Sequence, residues 1–94
     1  MAFYVVRNTY RDVPRLAEVR QQHREYLASL HGKLRLGGPL PTEIPPAGLM
    51  VFEVADRGEL DALLLDDPLV AADVIVAQDV EEWTPSIGEF ADRA

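Results

Sequence analysis

Two amphipathic segments divide the chain of 94 residues into short runs of β-branched and aromatic side chains. In the longer segment, apolar residues recur at spacings of three and four from Leu16 to Leu30, and charged or polar residues occupy most other positions. This period predicts a helix over residues 14–31, with Asp12 as its N-cap. A shorter segment of the same kind predicts a second helix over residues 57–65.

The remaining runs predict four strands, three because they are rich in Val, Ile, Phe or Tyr and one because Leu34-Arg35-Leu36 alternates between apolar and charged side chains. They cover residues 2–9, 33–38, 48–54 and 73–77, and the last could run as far as Trp83. The proline-rich segment 39–47 predicts an exposed loop, and residues 84–94 predict a loose C-terminal tail of one domain spanning 1–94. The order β-α-β-β-α-β predicts a four-stranded antiparallel sheet with both helices on one face.

The first strand has apolar side chains on both of its faces. Phe3 and Val5 lie on one face, and Tyr4 and Val6 lie on the other. A strand with one wet face alternates between apolar and polar side chains, so both faces of this sheet are expected to be covered. Two helices cover only one face. We therefore predict that a second copy packs sheet against sheet, in a symmetric homodimer.

The charge and the cysteine content narrow the class of protein. The chain has no cysteine, which excludes disulfides and thiolate metal sites and fits a reducing compartment. Its 16 acidic and 9 basic residues give a net charge of −7, which repels phosphate backbones, so no nucleic-acid partner is predicted. We see neither a signal peptide nor an apolar stretch of the ~20 residues that span a bilayer. The prediction is a cytoplasmic protein without a membrane partner.

Most basic residues lie in the first part of the chain. They are Arg7, Arg11, Arg15, Arg20, Arg24, Lys33 and Arg35. One interpretation is a solvated helix face with ordinary surface charge. The other is that one or two of these arginines face a pocket and hold an anionic ligand, with Arg7 or Arg11 steadying an anionic oxygen.

His23 interrupts the apolar stripe of the first predicted helix, between Val19 and Leu27. A histidine at this position points at the sheet and needs a hydrogen-bond partner in a largely dry setting. A backbone carbonyl is the ordinary partner. The functional alternative is a general acid or base, because imidazole exchanges protons near neutral pH.

Asp67 precedes Pro68, and this pair is typical of a helix N-cap followed by proline at the first helical position. The functional alternative is that Asp67 accepts a hydrogen bond from His23. A carboxylate on one imidazole nitrogen fixes the tautomer and makes the other nitrogen more basic. The spacing along the chain does not decide whether the two residues meet.

Other candidate residues have simpler explanations. The chain has no HxxxH or HxH pattern, so no metal site is predicted. The Gly37-Gly38-Pro39 segment predicts the turn that ends the second strand, and it lacks the pattern of a phosphate-binding loop. Tyr10 and Tyr26 either line a pocket or pack in the core or an interface.

An ordered set of short motifs resembles the YCII-related family over nearly the whole chain. The set is His23-x-x-Tyr26-Leu27, Gly37-Gly38-Pro39, Gly48, Asp67-Pro68 and Trp83. The resemblance implies a ferredoxin-like fold that forms a dimeric α+β barrel, and an active-site dyad of His23 and Asp67. The predicted substrate-binding residues are Arg7, Tyr10, Tyr26, Gly38 and Pro39. Two features depart from the family pattern, namely Leu69 in place of an aromatic residue and the proline-rich loop.

These observations predict a small cofactor-independent enzyme of the isomerase, lyase or dehydrohalogenase type. It would use His23 and Asp67 for acid/base chemistry on a small cyclic or aromatic metabolite, with no cofactor. The alternative is a non-catalytic dimeric module that binds a small-molecule ligand or serves assembly. Replacement of His23 by alanine separates the two, since it abolishes turnover in the first case and costs only binding or stability in the second.

Overall fold

The computed structural model describes residues 1–93. Its strands are β1 (Ala2–Tyr10), β2 (Leu34–Leu40), β3 (Ala47–Val54) and β4 (Ile75–Trp83), and its helices are α1 (Pro14–Ala28), α2 (Arg57–Leu65) and α3 (Pro68–Ala71). The four strands form one antiparallel sheet in the order β2-β3-β1-β4, which confirms the predicted ferredoxin-like arrangement. Within the described residues, no helix is long and apolar enough to cross a membrane.

Helix α1 is shorter than predicted, and it is capped differently. It ends at Ala28, because His31 and Gly32 adopt φ values of 51° and 84°, in the left-handed region that a right-handed helix excludes. At its start, Val13 is the N-cap and no side chain caps the helix. The prediction that Asp12 is the N-cap was therefore wrong.

Strand β2 continues through the predicted turn. Gly37, Gly38 and Pro39 pair with β3, and the strand ends at Leu40. A proline is tolerated here because β2 lies at an edge of the sheet. The predicted proline-rich loop is therefore reduced to residues 41–46.

The helices cover the sheet face that carries Tyr4, Val6 and Tyr10. One apolar cluster joins α2 to this face: Tyr4, Val6, Met50, Phe52, Val54, Leu60 and Leu64. A second cluster consists of Tyr10, Leu16, Leu69 and Val74, and it joins β1, α1 and α3. The second cluster sets α3 beside α1, and this placement positions the site described below.

Residues of the predicted tail pack on the face of the sheet away from the helices, which carries Phe3, Val5 and Val51 (the open face). The ring of Phe90 lies 5.6 Å from that of Phe3, measured between centroids, and is largely buried. The Arg35 guanidinium lies 5.1 Å from the centre of the Phe90 ring. Part of the segment predicted as a loose tail is thus a packed cover, while Ala94 lies outside the described residues.

Other parts of the open face remain uncovered. Leu36 is 54% exposed and Trp83 is 40% exposed. Leu36 pairs with Val51, and Trp83 pairs with Phe3, so both belong to this face. The chain's own residues therefore cover this face only in part, and the predicted homodimer stays a prediction.

Candidate active site

A cavity of about 450 Å³ opens between α1 and the sheet. Most of its wall is apolar side chains and glycine, and its polar side chains are Tyr10, Arg20, His23 and Arg24. A cavity of this volume and composition suits a small organic ligand. Within residues 1–93, no cluster of three or more His, Asp or Glu side chains is arranged to hold a metal ion.

His23 and Asp67 meet at the wall of this cavity. The Nδ1 atom of His23 lies 2.8 Å from Oδ2 of Asp67 and 3.0 Å from Oδ1. The side chains are 15% and 5% exposed, so little water competes for the contact. The carboxylate accepts the Nδ1 hydrogen, which leaves Nε2 as the ring nitrogen available to a ligand.

Asp67 also caps α3. Its Oδ1 atom accepts a hydrogen bond from the backbone N–H of Leu69 at 2.9 Å, and Pro68 follows at the first helical position. From the sequence, the cap and the contact with His23 are alternative roles for Asp67. In the structure, one carboxylate makes both contacts, and the cap fixes the position of the oxygens that His23 approaches.

Tyr10 forms the sheet side of the cavity and lies close to Gly48. A Cβ atom built on Gly48 would lie 2.9 Å from the Tyr10 hydroxyl oxygen, closer than Cβ atoms approach other atoms in proteins. The missing side chain at this position therefore makes room for the hydroxyl. Gly48 itself lies on β3, and Tyr10 lies at the end of β1.

The surroundings of Tyr10 keep its hydroxyl protonated. The pKa of Tyr10 is raised, mainly because the side chain is buried. A hydrogen bond from the Asn8 side chain lowers this pKa, the negative charge of Asp67 raises it, and the positive charge of Arg20 lowers it. Asn8 is itself buried, and its Oδ1 atom accepts a hydrogen bond from Gln78 Nε2 at 2.8 Å. Burial thus keeps the phenol neutral, while Asn8, itself held by Gln78, positions the hydroxyl.

Two of the predicted substrate-binding residues lie elsewhere. Arg7 points to the open face, because strand alternation places it opposite Tyr10, and its guanidinium lies 2.8 Å from Glu43 Oε1. The Tyr26 hydroxyl donates to the backbone carbonyl of Leu63 at 2.5 Å, which joins α1 to α2. Neither side chain lines the cavity.

The other predicted substrate-binding residues, Tyr10, Gly38 and Pro39, lie on the cavity wall. Arg20 and Arg24 also lie there, and the predicted site did not include them. A signal was present, since both belong to the early basic cluster, Arg20 lies three residues before His23, and Arg20 and Arg24 lie one helical turn apart. Asn8 and Gln78 gave no such signal, because their contact depends on the register of β1 against β4.

The fold is shared with several solved structures. The chain is similar to 5-chloro-2-hydroxyhydroquinone dehydrochlorinase (TftG) from Burkholderia phenoliruptrix AC1100, with a TM-score of 0.73 and 21% identity over 86% of this chain and 92% of that one. It is also similar to an uncharacterized NIPSNAP domain protein from Burkholderia xenovorans, with a TM-score of 0.59 and 14% identity over 90% and 94% of the two chains. A third similar structure is protein Atu4242 from Agrobacterium tumefaciens, with a TM-score of 0.55 and 20% identity over 90% of this chain and 93% of that one.

The family is given by a match to a family model. Among curated protein sequences, none matches the chain. The model of the YCII-related domain matches residues 1–84, which is most of the chain and includes His23, Asp67 and the whole sheet. This match agrees with the motifs found in the sequence, and the chain belongs to the YCII-related family.

Proposed function

We propose that the protein is a cofactor-independent enzyme that performs acid/base chemistry on a small cyclic or aromatic metabolite. The observation that carries the proposal is the 2.8 Å contact between His23 Nδ1 and Asp67 Oδ2 at the wall of a cavity. Proton transfer requires a general base in a fixed position beside the substrate, and His23, oriented by the buried carboxylate of Asp67 at the cavity wall, meets this requirement. The fold shared with a dehydrochlorinase adds support for this class of reaction.

The chemistry begins with His23 as the base. Its Nε2 atom takes a proton from a carbon next to a carbonyl group, and the electron pair of that C–H bond forms a carbon–carbon double bond. The Asp67 carboxylate stabilises the imidazolium that results. The Tyr10 hydroxyl, neutral and directed at the cavity wall, donates to the oxygen on which negative charge develops.

Two routes lead on from this intermediate, isomerisation and elimination. In an isomerase, the imidazolium of His23 returns the proton to a different carbon of the substrate. In a lyase or dehydrohalogenase, the pair expels a leaving group, such as chloride, from the neighbouring carbon, and the imidazolium of His23 then releases its proton to the solvent. Neither route changes the oxidation state of the protein, and both use only the side chains of the cavity.

The first experiment compares two histidine variants on a panel of lactones and halogenated hydroquinones. We expect His23→Ala to lower turnover by about 100-fold or more, because a positioned base contributes at least that much. His31 is exposed and lies outside the cavity, so His31→Ala is the matched control and should keep wild-type turnover. Circular dichroism checks that both variants fold.

A second readout follows the tautomer of His23. In ¹⁵N spectra of the imidazole, we expect the hydrogen on Nδ1 in the wild type and its loss from that position in Asp67→Asn, together with reduced turnover. Unchanged turnover in His23→Ala would refute the enzymatic proposal. Binding of panel compounds without turnover by the wild type would support the non-catalytic binding module instead.

We further propose that the protein works as a homodimer in the cytoplasm. Exposed Leu36 and Trp83 on the open face support an interface there, since large apolar side chains that share a surface commonly mark contact sites. The absence of cysteine fits a reducing compartment.

A further inference from the structure

The charge of the cavity wall is opposite to that of the whole chain. The chain has a net charge of −7, but Arg20 and Arg24 both line the cavity. Among the described residues, none that lines the cavity is acidic, since Asp67 lies behind His23. An acidic protein that places two arginines and no carboxylate on one wall has concentrated positive charge there.

Most other arginines of the chain are occupied by partners within the protein. Arg7, Arg11, Arg35 and Arg57 pair with Glu43, Asp73, Glu53 and Asp61, respectively. Arg15 donates to the backbone carbonyl of Ala72. In the described part of the chain, Arg20 and Arg24 have no such partner. A guanidinium free of carboxylates presents its donors to a ligand, and its planar fork matches a carboxylate.

The helix directs both arginines to the same space as His23. Arg20 and Arg24 are four residues apart on α1, and side chains at this spacing are neighbours on one face. Arg20 lies close enough to Tyr10 for its charge to lower the pKa of that phenol, against the effect of burial. The two arginines, the phenol and the imidazole therefore surround one volume.

We propose that Arg20 and Arg24 bind a negatively charged group of the substrate, so that the substrate class is a cyclic or aromatic carboxylate or phenolate. This inference rests on the proposed function and names its substrate class. The anionic group lies against the guanidinium groups, and the ring lies on the apolar wall that includes Leu34 and Met50. In this orientation the carbon to be deprotonated faces Nε2 of His23.

The test uses two probes of the same shape and different charge, 4-hydroxybenzoate and 4-hydroxybenzamide. Binding is followed by the shifts of the amide signals of Gly37, Gly38 and Gly48 in ¹H–¹⁵N spectra. We expect the wild type to prefer the benzoate, and Arg20→Gln and Arg24→Gln each to weaken benzoate binding by about tenfold. Binding of the benzamide should not change, and added salt should weaken only the benzoate.

The matched control is Arg15→Gln, which removes the same charge from the same helix outside the cavity. It should bind both probes as the wild type does. Equal affinity of the wild type for the two probes would overturn the proposal. So would benzoate preference that survives in the Arg20→Gln/Arg24→Gln double variant, or the absence of shifts at about 20 mM benzoate.

The outcome is separate from that of the acid/base proposal, because probe binding needs no turnover. If His23→Ala abolishes turnover while the double arginine variant still prefers benzoate, the acid/base proposal is supported and the proposed anion site is refuted. If the double variant loses its preference for benzoate while His23→Ala keeps full turnover, the proposed anion site is supported and the acid/base role of His23 is refuted.

Discussion

Ionisation of Tyr10 makes the free energy of unfolding depend on pH at alkaline pH. Burial is the main reason that the pKa of Tyr10 is raised, and the pKa of Tyr26 is raised for the same main reason. In the unfolded chain a tyrosine ionises near pH ~10, so above this value the unfolded state releases protons that the folded state still holds. Stability that is fully present below pH ~10 is therefore lost as the pH rises toward the raised pKa.

We expect Tyr10→Phe to remove part of this loss. Urea unfolding of the wild type at a series of pH values should show the free energy of unfolding falling above pH ~10, and the fall should be shallower in the variant. Phenolate absorbance should show one high-pH step fewer in Tyr10→Phe. An identical pH dependence of unfolding in the two proteins would contradict this account.

At the residue scale, the sequence indicated which residue types could act in a site more reliably than it indicated whether each side chain points into the cavity. His23 was recognisable because it interrupts an apolar helical stripe, and Asp67 because it precedes a proline. Arg7 was misplaced although strand parity alone puts it on the side opposite Tyr10. Tyr26 was misplaced because a residue at the flank of a helix face can turn to either neighbour, and here it reaches α2.

At the element scale, α3 depends on the carboxylate of Asp67. We expect Asp67→Ala to lower the free energy of unfolding by about 1–2 kcal/mol, because the backbone N–H of Leu69 loses its cap and His23 loses its acceptor. Asp67→Asn keeps a capping oxygen and should lose much less stability. Urea denaturation of both variants makes the comparison.

Equal losses of stability in Asp67→Ala and Asp67→Asn would mean that the cap contributes little. The stability of α3 would then come from the packing of Leu69 in the cluster with Tyr10 and Leu16. The same pair of variants also separates structure from chemistry, since Asp67→Asn is the one expected to fold well and turn over slowly.

The ends of a helix or strand were predictable where a capping residue near in sequence determines them. Helix α2 runs over residues 57–65 as predicted, since Asp56 caps it by accepting from the Glu59 N–H at 2.9 Å. The ends of α1 and β2 were not predictable in this way. The backbone turns left-handed before Gly32, and pairing with β3 carries β2 past Pro39 in spite of its turn-like sequence.

At the scale of the whole molecule, the open face is the interface of the proposed homodimer. We expect the wild type to sediment at twice the chain mass of 10.5 kDa, and Leu36→Glu to sediment as a single chain. A buried unpaired charge at a symmetric interface is placed in both copies and weakens their association strongly. Leu65→Glu is the control, because Leu65 is 71% exposed on α2, away from this face.

A monomeric wild type would refute the homodimer and would give the segment with Phe90 a larger role as the cover of the sheet. The order of strands and the side of the helices followed from connection rules. The cover by residues near the C-terminus did not, because the run after Trp83 has neither a helical nor a strand period. Its packing involves the contact of Phe90 with Phe3 and Val51 and with the Arg35 guanidinium.

The close approach of Tyr10 to Gly48 also restricts the order in which this sequence can change. Alanine at position 48 would collide with the Tyr10 hydroxyl, whereas the nearest ring carbon is 3.5 Å from the same Cβ position, an ordinary contact. Gly48→Ala is therefore harmful while the tyrosine is present and tolerated after Tyr10→Phe. Once both changes have occurred, a returning hydroxyl would meet the alanine Cβ atom at 2.9 Å, so the order in which the two positions change matters.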